Sequence, residues 1–241
     1  MSTDLQRYIS NLMAYNVLQT LISYTGAESI FIEESKSMQE KVRKLEKYTK
    51  GLPEFIVEHG RSVGRYVHMI AVELLKEEEN TLYGKLPMAD KAYLIGKYHD
   101  IGKAGISNEL WESPSRFTDA EYKLAQAHTV IGAHFIKPKL MLTDLSDGSD
   151  FESILAGSCL FHHERWDGEG YPFRLSGEQI PLYARIVAVA DAYDAMIEKR
   201  PYKDSLPVES ALEELNRQKG KQFDPVIVDV FCKALVKNDK I

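Results

Sequence analysis

The sequence has little cysteine and no long apolar run. Only Cys159 and Cys232 occur among 241 residues, each flanked by apolar residues, so we expect two buried thiols and no disulfide framework. No run of about 18 or more apolar residues is present, and the N-terminus lacks the basic start and apolar centre of a signal peptide. These absences predict a cytoplasmic protein without a membrane span.

An excess of positive charge is also missing, because the formal net charge is −6. Proteins that coat nucleic acid or anionic membranes need dense positive charge, so we expect no DNA or RNA partner. A small anionic substrate is compatible with this net charge, provided that lysine and arginine side chains line its binding site.

No alternation of strands with helices is visible, and the apolar spacing predicts an all-α fold. The break at Gly51-Leu52-Pro53 predicts a helical segment over 1–50 and one domain over 51–241. Segment 1–50 is either a solvated helical extension or a surface for a protein partner or self-association. Helices are predicted over 4–21, 33–50, 53–79, 88–99, 118–137, 150–163, 182–198, 207–219 and 225–237, with a loop over 137–151, a capping box at Thr118 and Glu121, and an N-cap at Asp224.

Five of the seven histidines fall on the apolar faces of these helices. One inward histidine is more often a hydrogen-bonded core residue than a metal ligand. Five of them, together with Asp100 and Asp191, favour divalent metal ions, because buried carboxylates need a neutralising charge. His68 and His134 fall on outer faces. The inward set is His59, His99, His128 (on a stripe with Leu124, Ile131 and Phe135), His162 and His163.

The order of motifs adds to the histidine pattern. His59 lies in HGRSV, and YHDIGKAGI, AHTVIG, HHERWDGEGYP and ADAYDA follow along the chain. With RPYK at 200–203 and QFDP at 222–225, the stretch from about 55 to 235 resembles the HD-GYP subfamily of the HD superfamily of metal-dependent phosphohydrolases. The first 50 residues lie outside this resemblance.

The resemblance implies a compact HD-type helical bundle that hydrolyses cyclic di-GMP or a relative such as cyclic GMP-AMP. It also implies two divalent metal ions, iron or manganese. The ligands carried over from the resemblance are His59, His99, Asp100 and Asp191 for one ion, and Asp100, His128, His162 and His163 for the other. Some members hold a third ion through a glutamate one turn before the first histidine, where this chain has Phe55. We therefore expect two ions.

Two ions about 3.5–4 Å apart can share a bridging hydroxide and direct it at phosphorus. Cations at the non-bridging oxygens would then stabilise the transition state. Lys103, Arg200 and Lys203 match phosphate-contacting positions, although each alone reads as a solvated surface charge. The remaining candidates are Tyr171 (a phosphate or base contact, or only the closure of its turn), Asp194 (orienting a ligand or the attacking water), and, more weakly, Arg185 and Trp166.

Two other functions stay open on the sequence. One is a different HD-type nucleotide phosphohydrolase, against which the complete GYP segment argues. The other is a receptor that binds cyclic di-GMP without hydrolysis, against which the complete ligand set argues.

Overall fold

The computed structural model describes residues 28–76, 89–138, 150–198 and 205–237, and the side chains from residue 36 onward. Helices and turns make up these residues, and no strand occurs among them, which confirms the predicted all-α class. The helices are α1 (Glu28–Thr49), α2 (Glu54–Leu74), α3 (Ala92–Lys97), α4 (Asn108–Trp111), α5 (Asp119–Gln126), α6 (His128–Ile136), α7 (Phe151–Phe161), α8 (Leu182–Ile197), α9 (Val208–Arg217) and α10 (Pro225–Lys237). Short 3₁₀ turns cover Ala89–Lys91, Ile101–Gly105 and Gly177–Gln179.

The chain divides into two compact units, Met1–Lys50 and Gly51–Ile241. Helix α1 lies in the first unit and begins a few residues before the predicted helix over 33–50. The predicted helix over 4–21 lies outside the described residues. No helix in the described part of the chain is long and apolar enough to cross a membrane.

Helix α2 is the centre of the second unit, where it packs against α3, α8 and α10. Its approach to α3 is close, since a Cβ on Gly60 would lie 2.6 Å from the carbonyl oxygen of Lys97. Val63, Val67 and Ile70 on the same face of α2 are fully buried. This packing presents the N-terminal half of α2, with His59, to the end of α3, where His99 and Asp100 follow.

A second contact positions the residues after Asp100. The 3₁₀ turn Ile101–Gly105 lies directly on α6, and α6 in turn packs along α7. A Cβ on Gly102 would stand 1.9 Å from the carbonyl oxygen of His128, so only glycine fits at this crossing. The crossing brings Asp100 and His128 to the same place.

The predicted helix over 118–137 is wrong in one respect. It is two helices, α5 and α6, which meet at Ala127. At this junction the backbone N–H of Ala127 bonds to the carbonyl of Leu124, three residues back, and the α-helical pattern is interrupted. Leu124 does not continue the stripe of His128 and is 52% exposed. The capping box of Thr118 and Glu121 at the start of α5 is confirmed.

Three smaller expectations are also settled. Pro53 caps α2, which begins at Glu54, and Asp224 caps α10 by accepting from the backbone N–H of Val226 at 2.9 Å. Both cysteines are free, Cys159 being buried and Cys232 only half-buried. Most of the loop predicted over 137–151 lies outside the described residues.

Candidate metal centre

Two groups of histidine and aspartate side chains meet where α2, α3, α6, α7 and α8 converge. In each group the potential ligand atoms lie within 4.8 Å of one another. The first group contains Asp100, His128, His162 and His163, and the second contains His59, His99 and Asp191. The structure thus brings together all seven metal ligands that the resemblance implies.

Asp100 stands between the two groups. Its Oδ1 lies 3.1 Å from His128 Nε2 and 3.7 Å from His162 Nε2, while its Oδ2 lies 3.3 Å from His99 Nε2 and 4.0 Å from His59 Nε2. One carboxylate therefore faces both sets of imidazoles, one oxygen to each. This is the arrangement that a bridging ligand needs.

Three of the imidazoles are oriented by their own helical turns. Nδ1–H donates to a backbone carbonyl in His99 (Gly96, 2.7 Å), in His128 (Ala125, 2.6 Å) and in His162 (Cys159, 2.9 Å). A proton on Nδ1 leaves a lone pair on Nε2, and in each case Nε2 faces Asp100. The tautomer that binds a metal is therefore the one that the backbone selects.

A fit to metal ions is also indicated by atoms that lack partners. His99 Nε2 and Asp100 Oδ1 are buried, and neither has a hydrogen-bond partner among the described residues. Buried polar atoms normally find a partner, so each of these two atoms suits coordination to an ion in its own group. Imidazole nitrogen and carboxylate oxygen are donors that first-row divalent metals accept. The residues present therefore fit metal ions.

His59 is oriented by carboxylates at both ends. Its Nδ1 lies 2.6 Å from Asp194 Oδ2, and its Nε2 lies 2.9 Å from Asp191 Oδ1. Burial alone would lower the pKa of His59, but the hydrogen bonds to Asp191 and Asp194 outweigh it and raise the pKa to about 9. Asp194 is almost fully buried and contacts the ring nitrogen that points away from the cluster.

His162, His163 and Asp100 keep the protonation states that metal binding requires. Burial lowers the pKa of His163 to about 3 and also lowers that of His162, so both rings stay neutral. Burial would raise the pKa of Asp100, but the Lys103 ammonium beside it holds that pKa well below its usual range. Neutral imidazoles and an ionised carboxylate are the forms that coordinate.

Two predicted substrate residues lie next to the clusters. Lys103 Nζ is 2.5 Å from Asp100 Oδ2. The ring of Tyr171 stacks on His163, with centroids 4.8 Å apart and an interplanar angle of 24°. Burial raises the pKa of the Tyr171 phenol, so the phenol remains protonated and able to donate a hydrogen bond.

The loop that carries Tyr171 folds back on its own beginning. Gly168 has φ of +82°, and a Cβ on Gly170 would lie 2.4 Å from the backbone nitrogen of Arg165. The Tyr171–Pro172 peptide bond is cis. The two glycines thus permit the turn that places Tyr171 on His163.

Glu164 is a residue that the sequence reasoning missed. It is buried beside His163, and its carboxylate accepts from the backbone N–H groups of Phe173 at 2.6 Å and Leu175 at 2.9 Å. Burial raises the pKa of Glu164. An acid beside two ligand histidines, inside an otherwise turn-like segment, was the signal available in the sequence.

The weaker candidates Arg185 and Trp166 make contacts typical of residues that stabilise the fold. Arg185 is buried, donates to the carbonyl of Ile180 at 2.9 Å and forms an ion pair with Asp224 at 2.6 Å. Its guanidinium carbon lies 5.8 Å from the centre of the Trp166 ring. Arg200 and Lys203, the other two predicted phosphate contacts, lie outside the described residues.

A third group of possible ligands comprises His59, Asp194 and Glu198. Glu198, at the end of α8, was not considered on the sequence, and its Oε2 lies 4.0 Å from His59 Nδ1. That nitrogen is already engaged by Asp194. Phe55, at the position where the resemblance would place the glutamate of a third ion, packs against the apolar cluster around Ile56 and Trp111.

A protein-family model described as "HD domain" matches residues 45–227. The chain belongs to the HD domain family. Membership confirms the superfamily that the HDIGK motif and its flanking histidines indicated. All seven clustered residues lie within the stretch that this HD domain model matches.

Individual relatives match the HD domain of this chain over part of their own length. A cyclic di-GMP phosphodiesterase of Thermotoga maritima is 39% identical over 135 residues, covering 56% of this chain and 34% of the relative. A cyclic di-GMP phosphodiesterase of Pseudomonas aeruginosa is 36% identical over 171 residues, covering 70% and 39%. A 3′3′-cGAMP-specific phosphodiesterase of Vibrio cholerae is 34% identical over 174 residues, covering 70% and 31%. The chain thus spans between 31% and 39% of the length of these curated relatives.

A solved structure shares the fold of this HD domain. It is an HDGYP protein from Bdellovibrio bacteriovorus with a TM-score of 0.52 and 19% identity, covering 75% of this chain and 52% of that chain. At this identity the likeness concerns the fold.

Proposed function

We propose that this chain is a metal-dependent phosphodiesterase of the HD-GYP type that hydrolyses a cyclic dinucleotide, cyclic di-GMP first and cyclic GMP-AMP as the alternative. The observation that carries the proposal is Asp100, whose two oxygens face the two histidine groups while Lys103 and the Tyr171–His163 stack lie beside them. The phosphodiesterase names of relatives with 34–39% identity support it.

In this proposal His59, His99, Asp100 and Asp191 hold one divalent ion, and Asp100, His128, His162 and His163 hold the other. Iron and manganese accept this mixture of imidazole and carboxylate. The ions would supply the positive charge that lowers the pKa of a water molecule for attack on phosphorus and that neutralises the phosphate. Asp194 would keep His59 oriented through its hydrogen bond of 2.6 Å.

The chain's own groups would bind and orient the phosphodiester. The Lys103 ammonium can reach a phosphate oxygen held beside Asp100, because its Nζ lies at the edge of both groups. The Tyr171 phenol can donate to a second oxygen, or its ring can stack on a base. Arg200 and Lys203 stay proposed phosphate contacts, which rest on their RPYK motif.

A receptor that binds the dinucleotide without hydrolysing it is the second candidate from another class. The phosphodiesterase would convert the dinucleotide to linear products, and the receptor would leave it unchanged. An assay of hydrolysis therefore distinguishes the two candidates. We also propose a cytoplasmic location, and a protein partner or self-association through residues 1–50 stays an open proposal.

The decisive experiment is turnover by anaerobically purified protein loaded with iron or manganese. We expect linear dinucleotide or mononucleotide products from cyclic di-GMP or cyclic GMP-AMP, separated by chromatography. His128→Ala is the matched control, since it removes one ligand of the second ion. Tight binding of an unchanged dinucleotide by the loaded protein would favour the receptor.

The proposal includes two ions per chain. Elemental analysis should give two, and the count should stay at two in Glu198→Gln, because Asp194 already engages the His59 nitrogen near Glu198. A count of three that falls to two in Glu198→Gln would contradict this stoichiometry and make Glu198 a ligand.

A further inference from the structure

Trp111 ends α4 beside the candidate site and has no role so far. It is 8% exposed, and it contacts Lys103 at two points. The indole Nε1–H donates to the backbone carbonyl of Lys103 at 3.1 Å, and the Lys103 ammonium lies 5.3 Å from the centre of an indole ring. The same tryptophan therefore contacts both the main chain and the charged end of one lysine.

The two contacts restrict different parts of Lys103, its backbone and its side chain. The hydrogen bond fixes the backbone of the 3₁₀ turn Ile101–Gly105, from which the side chain departs. The ring face attracts an ammonium within about 6 Å of its centre, and the attraction is strongest for tryptophan. A flexible four-carbon side chain is thereby kept beside Asp100, with Nζ 2.5 Å from Oδ2.

We propose that Trp111 is a positioning residue for Lys103, which orders the lysine ammonium at the edge of the metal centre where a substrate phosphate binds. The inference rests on the proposed function in one respect, the contact of Lys103 with phosphate. Trp111 itself is too buried to be a phosphate ligand and offers a phosphate no positive charge.

A competing explanation is available in the same surroundings. Trp111 also stands edge-on to His128, with ring centroids 6.3 Å apart, and packs near Phe117 at the same separation. It could therefore act by supporting a metal ligand or the apolar cluster. A test must separate an effect through Lys103 from one through His128.

A double-mutant cycle makes this separation. In Trp111→Leu we expect kcat/KM for the hydrolysed dinucleotide to fall about tenfold, because a hydrogen bond and a partly buried cation–π contact are lost. Trp111→Phe keeps an aromatic face and loses the N–H, so its loss should be about threefold. In a Lys103→Met background neither substitution should lower kcat/KM further, and the metal content of all variants should equal that of the wild type.

Independent losses in the Lys103→Met background, or loss of metal in Trp111→Leu, would overturn the proposal and assign Trp111 to His128. A second measurement does not depend on catalysis. The chain has two tryptophans, so Trp166→Phe protein shows one indole N–H resonance, that of Trp111. We expect Lys103→Met to shift this resonance and Lys123→Met, a change on the exposed surface of α5, to leave it unchanged. An unshifted resonance would overturn the contact even if the protein hydrolyses dinucleotides, whereas a shift in a protein without hydrolysis would leave the contact standing and refute only the proposed function.

Discussion

Buried carboxylates occur in two kinds of surroundings in this protein. Asp224 and Glu73 are paired with arginine or lysine: Arg185 lies 2.6 Å from Asp224, and Lys76 lies 3.2 Å from Glu73, with Lys237 also bonded to it. Asp100 instead has one lysine, and its other neighbours are imidazoles of the two candidate ligand groups. Asp224 and Glu73 thus have their counter-charges in the chain, whereas most neighbours of Asp100 are imidazoles suited to bind an ion.

The largest expected effect follows from removing the shared carboxylate. Asp100→Ala should lower turnover at least about a thousandfold, because both ions lose a ligand and the activation of water is lost. Elemental analysis should show reduced metal content. Exposed Asp119→Ala serves as the control and should change neither quantity. Wild-type turnover by Asp100→Ala would contradict the bridging assignment and erase the contrast between the two kinds of carboxylate.

The structural pair should show the opposite pattern. Asp224→Ala is expected to lower the free energy of unfolding by about 3–5 kcal/mol, because it leaves the buried Arg185 charge unpaired. It also removes the cap of α10 at Val226. Urea denaturation of metal-free protein measures the loss, and metal content at low temperature should be retained.

The matched control for this pair lies on the same helix. Asp229 forms an exposed ion pair with Lys219, so Asp229→Ala should cost less than about 1 kcal/mol. If Asp224→Ala and Asp229→Ala lowered the free energy of unfolding equally, burial would not explain how much Asp224 contributes to stability.

Glu73 is expected to contribute less to stability than Asp224, and its contribution depends on pH. Its hydrogen bond to Lys237 lowers the pKa of Glu73 below the ordinary value despite burial. A lowered carboxyl pKa contributes stability above the unfolded-state pKa, and this stability is lost as the pH falls through the folded-state pKa. Glu73→Gln should therefore lower the free energy of unfolding by about 1.5–3 kcal/mol at pH 7 and by progressively less below about pH 4. Denaturation series over this range would test it, and a difference that does not vary with pH would show that charge is not its origin.

The sequence predicted the site better than it predicted the path of the chain around it. The burial of His59, His99 and His162 agrees with apolar residues three or four positions before them, Ile56, Ile95 and Cys159, which are buried as well. His128 is buried although Leu124 on its predicted stripe is exposed. His134 is exposed and His68 half-buried, as their outer-face positions indicated. Asp191 is less buried than its apolar segment suggested, because it faces the space that the clusters share.

What periodicity could not predict depends on tertiary contacts. No residue around Ala127 is a typical helix breaker, and the junction lies next to His128, whose carbonyl contacts the 3₁₀ turn at Gly102. The four-residue helix α4 is too short for any period to be recognised. The contacts of Trp111 and Glu164 were not predicted either. Their partners, Lys103 for Trp111 and Phe173 and Leu175 for Glu164, lie on other segments, and helical periodicity does not relate residues of separate segments.

The orientation of the imidazoles has a consequence for changing the metal. His99, His128 and His162, which we propose as metal ligands, are each tethered at Nδ1 to a backbone carbonyl of the preceding turn. A carboxylate in place of any of them has no N–H to donate to that backbone carbonyl. Only its rotamer would then determine where its oxygens point. We therefore expect that no single substitution at these positions converts the proposed centre to an oxygen-rich site of the kind that favours magnesium or calcium. In the proposed centre, the backbone that selects the tautomer would also favour the metals that imidazole prefers.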